Sequence, residues 1–157
     1  MALTVGDVMT HNVITVSPQT PVTEAAERLA ANRITGMPVV DEHGSLVGVV
    51  SEFDIIGKSG RTVGEIMTRG VISVSPQTPL EEAAHILTGA RIRRLPVLDG
   101  AQLVGIISRA DIVRRIATRW TCSVCGSFER GPQPPARCHT CGATTPEFTL
   151  EREPAGM

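Results

Sequence analysis

Aromatic side chains are scarce in this 157-residue chain, which has one Trp, three Phe and no Tyr. Net charge is also nearly absent: 15 Lys and Arg against 16 Asp and Glu give −1, so no overall field attracts nucleic acid or an anionic membrane. The apolar runs are strand-sized, well below the ~20 residues that span a bilayer. No secretory signal, glycine-rich phosphate loop or nucleophile with a neighbouring base is found. These absences predict a cytosolic protein that is not an enzyme.

Cysteine is missing from the first 118 residues, which are built mainly on Val, Ile, Leu and Ala. All four cysteines lie after residue 118, together with Trp120, Phe128 and Phe148. This change in composition predicts a domain boundary near residues 117–119 and a separate small domain over residues 119–157.

An internal repeat organises the first 118 residues. GDVMT at Gly6–Thr10 recurs as GEIMT at Gly64–Thr68, an offset of 58, and VITVSPQTP recurs as VISVSPQTP at the same offset. The offset falls to 57 after one residue is lost in a turn, and GVVSEFDII then matches GIISRADIV. The sequence therefore predicts two copies of one unit, over residues 1–60 and 61–118.

Each copy shows the same order of elements. Alternation over Val13–Val16 predicts a strand, and Thr20 followed by Pro21 predicts the N-cap and first residue of an amphipathic helix. In the second copy Thr78 and Glu81 predict a fuller capping box. Two apolar runs around a turn then predict a hairpin, followed by a short helix. The expected fold is α+β: two β-α-β-β-α repeats packed by pseudo-twofold symmetry, because neither copy can bury its sheet face alone, plus a small C-terminal metal-binding ribbon.

These matched blocks resemble a tandem pair of CBS domains, the arrangement called a Bateman module, across residues 1–118. The resemblance rests on the V-M-T start, the S-P-x-T-P strand end, the P-V-h-D strand and the final G-h-h-S-x-x-D-h-h block, where h is apolar. It implies a regulatory, non-catalytic module that forms homodimers. It also implies two clefts between the copies that bind AMP, ADP, ATP, NAD or S-adenosylmethionine.

The S-x-x-D block supplies the main ligand candidates, Ser51 and Asp54 in the first copy and Ser108 and Asp111 in the second. Each Ser precedes a helix, where free backbone N–H groups favour phosphate, and each Asp can accept hydrogen bonds from a ribose diol. The resemblance implies the same two roles. The same residues also fit a capping box that needs no ligand.

The copies differ beside this block, since Thr35-Gly36 in the first becomes Arg93-Arg94 in the second. Two guanidiniums can hold a di- or triphosphate bidentately, although they also fit a solvated face. The resemblance implies that adenine lies against one proline-containing strand and reads backbone groups of the preceding strand. The residues in these expected contacts are Met37, Pro38, Leu95 and Pro96 with Thr15 and Ser73.

The cysteines follow a C-x2-C-x12-C-x2-C pattern, with Cys122, Cys125, Cys138 and Cys141 as expected ligands. Two thiolates from each tight turn suit a tetrahedral ion, and the glycine after each pair permits positive φ. Disulfides are the alternative, which the cytosolic setting disfavours. The segment resembles a zinc ribbon, and also a rubredoxin with a shorter interval. Zn²⁺ is the favoured metal. One alternative is Fe in an electron carrier, and another is a ribbon that binds nucleic acid under control of the nucleotide. Balanced charges in the segment favour contact with a protein target or with another domain.

Overall fold

A computed structural model describes residues 3–151 of the chain, so residues 152–157 of the predicted C-terminal domain lie outside the described part. The chain divides into two compact units: the N-terminal unit ends at Ser108 and the C-terminal unit begins at Arg109. The change in sequence composition falls later, near residues 117–119, because the helix after Ser108 has the aliphatic composition of the repeats.

The N-terminal unit contains two hairpins and the helices that flank them. Its elements are α1 (Val5–Val8), α2 (Val22–Asn32), β1 (Gly36–Val40), β2 (Leu46–Ser51), α3 (Glu52–Gly57), α4 (Val63–Ile66), α5 (Leu80–Gly89), β3 (Arg94–Asp99) and β4 (Gln102–Ser108). Strand β1 pairs antiparallel with β2, and β3 with β4. The predicted hairpins and the α+β class are confirmed.

The predicted strand at Val13–Val16 is reduced to a single bridge residue. Val16 pairs parallel with Val39, donating to the Pro38 carbonyl and accepting from the Val40 N–H. The next bond of a parallel ladder would need an N–H at Pro38, and proline has none. Val74 forms the same single bridge beside Pro96, so the strand prediction is wrong in both copies for the same reason.

The predicted helix starts are each one residue early. The Thr20 and Thr78 hydroxyls accept from the backbone N–H of Ser17 and Ser75 instead of capping a helix, and the N-caps are Pro21 and Pro79. The capping box of Thr78 and Glu81 is therefore not formed. The first helical N–H groups find partners elsewhere, since Val22 N donates to Arg61 O and Leu80 N donates to Leu3 O.

The leading segment of each repeat, which carries α1 or α4, pairs with the other repeat. In the first, Val5 N donates to Thr78 O, and Thr10 exchanges two backbone hydrogen bonds with Ile106. In the second, Val63 N donates to Thr20 O, and Thr68 exchanges two with Val49. The repeats seen in the sequence are therefore not the packing units of the fold.

The core of the first hairpin combines both repeats. Its buried members are Val16, Ala25, Leu29, Met37, Val39, Val50, Val63, Ile66 and Met67. Met67 comes from the second repeat and reaches the first because Gly48 leaves room: a Cβ there would lie 2.9 Å from the Met67 sulfur. Gly105 makes the same space for Met9. The glycines of the G-h-h-S block thus leave space for the methionine of the leading segment that packs in from the other repeat.

The C-terminal unit contains α6 (Arg109–Ile116) and a three-stranded antiparallel sheet in the order β6-β5-β7. Its strands are β5 (Arg119–Cys122), β6 (Phe128–Arg130) and β7 (Phe148–Glu151), with a 3₁₀ turn at Thr145–Glu147. The small core of this sheet consists of Cys122, Cys138 and Phe148, against which Trp120 and Ala143 pack.

Candidate functional site

An open cleft of about 370 Å³ lies between the two hairpins of the N-terminal unit. Its walls are mostly apolar and include Val49, Val71, Ile72, Ile92 and Ile106. The structure brings seven of the sequence-predicted ligand residues into its lining, namely Met37, Pro38, Ser51, Asp54, Arg93, Arg94 and Pro96. A cleft of this size, with apolar walls and a few polar groups, has the usual character of a small-molecule site.

Ser51 and Asp54 form the capping box of α3. The Ser51 hydroxyl accepts from Asp54 N at 3.3 Å, and Asp54 Oδ2 accepts from Ser51 N and from Ser51 Oγ at 3.0 and 3.1 Å. The capping interpretation of this block is therefore confirmed for the first repeat. The capping box does not remove these residues from the candidate site, because both of them still line the cleft.

The other Asp54 oxygen is also engaged. Oδ1 lies 2.7 Å from Lys58 Nζ and accepts from Thr68 Oγ1 at 3.1 Å. Burial raises the pKa of the Asp54 carboxyl, but the Lys58 ammonium and the hydrogen bonds from Ser51 and Thr68 outweigh burial, so the pKa lies below its ordinary value. Asp54 is thus a buried carboxylate that stays ionised at neutral pH.

The two adjacent arginines of the second repeat have different surroundings. Arg94 Nη1 donates to the Gly36 carbonyl of the first repeat at 2.9 Å. Arg93 is exposed on the lining, and within residues 3–151 no hydrogen bond or ion pair holds its guanidinium. Gly36 and Arg94 are equivalent positions in the repeat, so this contact breaks the symmetry between the copies. Arg93 is the better placed of the two to meet a ligand phosphate.

The remaining predicted ligand residues lie outside this lining. Leu95 is fully buried, the Thr15 carbonyl accepts from Arg28 Nη1 at 2.7 Å, and Ser73 lines a separate shallow depression. Ser108 ends β4, and Asp111 lies in the first turn of α6, where its Oδ1 accepts from Arg114 Nη2 at 3.3 Å. Their ligand roles remain predictions.

Sequence reasoning missed Lys58 and Thr68, the two partners of Asp54 Oδ1. Lys58 was detectable, because it lies four residues after Asp54 and is the only lysine in the chain. Thr68 was not detectable from the sequence, since its contact with Asp54 exists only because the leading segment of the second repeat pairs with the first repeat.

The four cysteine sulfurs of the C-terminal unit, here called the cysteine cluster, lie within 4.8 Å of one another. Cys122 and Cys141 are 3.7 Å apart, and Cys125 and Cys138 are 3.6 Å apart. A tetrahedral Zn²⁺ with Zn–S bonds of ~2.3 Å would have sulfurs ~3.8 Å apart, so the cluster fits such an ion. All four cysteines are free thiols, and the predicted ligand set is brought together.

Two matching turns position the cysteine cluster. Gly126 N donates to Cys122 O, and Gly142 N donates to Cys138 O. Both glycines have positive φ, 76° and 78°, which only glycine adopts without strain. The spacing of each C-x2-C-G pair therefore dictates its turn, whereas the approach of the two pairs depends on the fold of the unit.

Hydrogen bonds distinguish the thiols of the cysteine cluster. The Ser127 hydroxyl lies 3.0 Å from both Cys125 Sγ and Cys138 Sγ. Its contact with the Cys138 sulfur, aided by the Cys141 backbone, lowers the pKa of Cys138 to about 6. The Ala143 N–H lowers the pKa of Cys141, but burial and the neighbouring thiols outweigh it and raise that pKa to about 12.

Two hairpins surround a cleft, with a serine and an aspartate at the start of a short helix, and together they define a module built from two repeats. The chain belongs to the CBS domain family, whose sequence profile matches residues 5–60 and 63–118. Within residues 3–151 no helix is long and apolar enough to cross a membrane.

Known proteins of this family resemble the chain over its first part. It is 40% identical to CBS domain-containing protein CBSX1, chloroplastic, of Arabidopsis thaliana, covering 71% of this chain and 63% of that protein. It thus spans less than two thirds of that relative. The crystal structure of CBSX2 in complex with AMP has a TM-score of 0.69 at 39% identity, covering 71% of this chain and 94% of that one.

The crystal structure of the CBS domain pair of protein MJ0100 is also similar. It was solved in complex with methylthioadenosine and S-adenosyl-L-methionine, and has a TM-score of 0.67 at 34% identity over 73% of this chain and 95% of that one. Both structures confirm the tandem CBS architecture expected from the sequence.

Proposed function

We propose that this chain is a non-enzymatic regulatory module that binds an adenine nucleotide between its two CBS repeats. The observation that carries the proposal is the open cleft that presents Ser51 and Asp54 from one repeat and Arg93 from the other. The AMP complex of CBSX2 and the S-adenosylmethionine complex of the MJ0100 pair support an adenosine-containing ligand.

Ligand binding would link the two repeats through charge. The helix start at Ser51 and the exposed Arg93 guanidinium favour a phosphate, while Asp54 favours hydroxyl donors. The apolar walls favour an aromatic base. A ligand that touches both repeats stabilises one relative orientation of them, and a population shift of this kind is the signal that a partner would read.

Isothermal titration calorimetry with AMP, ADP, ATP, NAD and S-adenosylmethionine tests the proposal. We expect heat for at least one ligand and a loss of about tenfold to a hundredfold in affinity in Arg93→Ala, since a charge-assisted phosphate contact contributes about 1.5–3 kcal/mol. Arg69→Ala, an exposed arginine outside the lining, is the matched control. Ser108→Ala and Asp111→Ala test the second S-x-x-D block. No heat for any ligand would overturn the proposal.

We also propose that the cysteine cluster holds one structural Zn²⁺, with Cys122, Cys125, Cys138 and Cys141 as ligands. When bound, the ion would neutralise the thiolates and supply folding energy to a sheet with few buried side chains. Elemental analysis of the purified chain should give one zinc per chain. One iron per chain with visible absorbance would favour the rival electron carrier, because thiolates accept both metals.

We further propose that the chain forms a homodimer, contacts a protein target and works in the cytoplasm. Phe53 and Ile56 are 78% and 85% exposed on α3, which is unusual for large apolar side chains and supports a contact surface. Sedimentation velocity should show a dimer that Ile56→Glu dissociates. A monomeric wild-type chain would contradict the homodimer.

A further inference from the structure

The only lysine of the chain holds the cleft carboxylate. Lys58 follows α3 directly, and its ammonium lies 2.7 Å from Asp54 Oδ1 and donates to the Ile66 carbonyl at 3.1 Å. Ile66 is the last residue of α4. Lys58 therefore connects the ligand-facing carboxylate of the first repeat to the leading segment of the second.

Asp54 has no acceptor position left for a ligand. Its two oxygens accept from Ser51 N, Ser51 Oγ, Thr68 Oγ1 and Lys58 Nζ, which is about the four lone-pair sites that a carboxylate offers. The Asp54 side chain is only 4% exposed, so its carboxylate has no open, solvated side on which a further donor could bind. A ribose diol that binds Asp54 must displace one of these donors.

Lys58 is the donor that can leave at least cost. The Ser51 contacts belong to the helix cap, and Thr68 is fixed by two backbone hydrogen bonds to Val49. The Lys58 side chain is 44% exposed and has a flexible stem, so its ammonium can swing into water without burying a charge.

We propose that Lys58 is a latch that a ribose diol displaces: ribonucleotide binding at Asp54 moves the ammonium off Asp54 Oδ1 and off the Ile66 carbonyl. The inference rests on the proposed function and deepens it. The latch lowers the affinity of the cleft for ribose, and its release frees the connection at residues 58–62 between α3 and α4. Occupancy of the cleft is thereby transmitted to the leading segment of the second repeat.

The first experiment compares AMP with 2′,3′-dideoxy-AMP by calorimetry in wild type, Lys58→Met and Thr68→Val. Dideoxy-AMP has the same phosphate and base but no diol, so general effects of removing a charge cancel in the ratio of the two Kd values. We expect Lys58→Met to increase the preference for AMP by about fivefold, the effect of one partly exposed ion pair. Thr68→Val also frees an acceptor position on Oδ1, but it removes a neutral hydroxyl donor and leaves the Lys58 ion pair in place, so it should increase the preference less than Lys58→Met does.

The second experiment needs no variant, because a single lysine gives a single ε-amine signal. Wild-type protein is acetylated with an N-hydroxysuccinimide ester, with free Nα-acetyllysine as internal standard, and the rate at Lys58 is followed by mass spectrometry. Saturating AMP should accelerate acetylation of Lys58 about threefold or more, and dideoxy-AMP should not. A structural lysine would not respond to the diol alone.

The outcomes separate the latch from the proposed function. If AMP binds but the preference stays constant in Lys58→Met, or if AMP slows acetylation, the latch is overturned and nucleotide binding stands. An increased preference for AMP in Thr68→Val but not in Lys58→Met would also overturn the latch, because Thr68 would then be the donor that the diol displaces. If AMP gives no heat with wild type or with any variant, the latch is overturned, and nucleotide binding fails with it only if ADP, ATP, NAD and S-adenosylmethionine also give no heat. Heat with Lys58→Met alone would support the latch.

Discussion

The two units of this chain reach a folded state by different means. The N-terminal unit buries aliphatic side chains from both repeats, such as Val50, Ile66 and Leu95, with almost no exposed surface. The sheet of the C-terminal unit buries little beyond Phe148 and two of its own cysteines. The comparison teaches that apolar burial differs sharply between the two units, and the proposed Zn²⁺ at the cysteine cluster would supply the stability that the second unit lacks.

Removing the proposed Zn²⁺ should break this comparison most sharply. Trp120, the only tryptophan, lies on β5 of the sheet, and its Nε1 donates to Gly131 O at 3.0 Å. Chelation with the thiols kept reduced should unfold the sheet, since structural zinc supplies about 10 kcal/mol or more, and shift Trp120 emission to the red. The helical far-UV signal of the N-terminal unit should remain. Unchanged Trp120 emission after complete metal removal would contradict the dependence on metal.

Leu95→Ala should produce the converse result. Leu95 is fully buried in the N-terminal unit, so its truncation should cost about 2–5 kcal/mol of unfolding free energy. Urea denaturation followed by far-UV circular dichroism measures the loss, and Trp120 emission should not change. Ile72→Ala, at a position 47% exposed, is the matched control and should lose far less. Equal losses in the two variants would refute the placement of Leu95.

Asp54→Asn tests whether the stability of the N-terminal unit also depends on the ion pair and hydrogen bonds around the Asp54 carboxylate. Loss of the Lys58 ion pair and of charge-assisted hydrogen bonds should cost about 1–3 kcal/mol at pH 7. Because the folded pKa of Asp54 lies below its ordinary value, this contribution is present above the unfolded pKa of about 3.9 and is lost as pH falls below it. Denaturation of wild type and variant between pH 7 and pH 3 should show the difference shrinking with acid. A pH-independent difference would argue against an ionised Asp54.

Arg33→Gly should have the smallest effect and the opposite sign. Arg33 and its repeat partner Arg91 have φ of 52° and 53°, a left-handed conformation that strains a non-glycine residue by about 1–2 kcal/mol. Glycine removes that strain but adds chain entropy to the unfolded state, so a gain of about 0.5 kcal/mol is expected. The change should raise the melting temperature of the N-terminal unit alone. A loss of stability would mean that the exposed Arg33 side chain contributes more than the strain costs.

Local rules explain which parts of the sequence reasoning succeeded. Ser51 with Asp54 is a capping box in sequence and in structure, and the C-x2-C-G pairs bring four sulfurs together. Where the reasoning failed, a contact from another repeat replaced the local one. Thr20 did not cap α2, whose first N–H donates to Arg61 O beside the second leading segment. The strand predicted over Val13–Val16 is confined to a single bridge at Val16, because Pro38, next to its partner Val39, lacks an N–H donor.

The sequence alone determined the duplication, the hairpins, the Ser51–Asp54 block and the four residues of the cysteine cluster, because each of these follows from a pattern that can be read along the chain. The tertiary structure decided which copy each leading segment pairs with, since two similar repeats offer similar surfaces and periodicity cannot distinguish them. That exchange places Thr68 on Asp54 and Ile66 beside Lys58. The electrostatic state of the cleft therefore follows from packing between the repeats, a property that no single repeat contains.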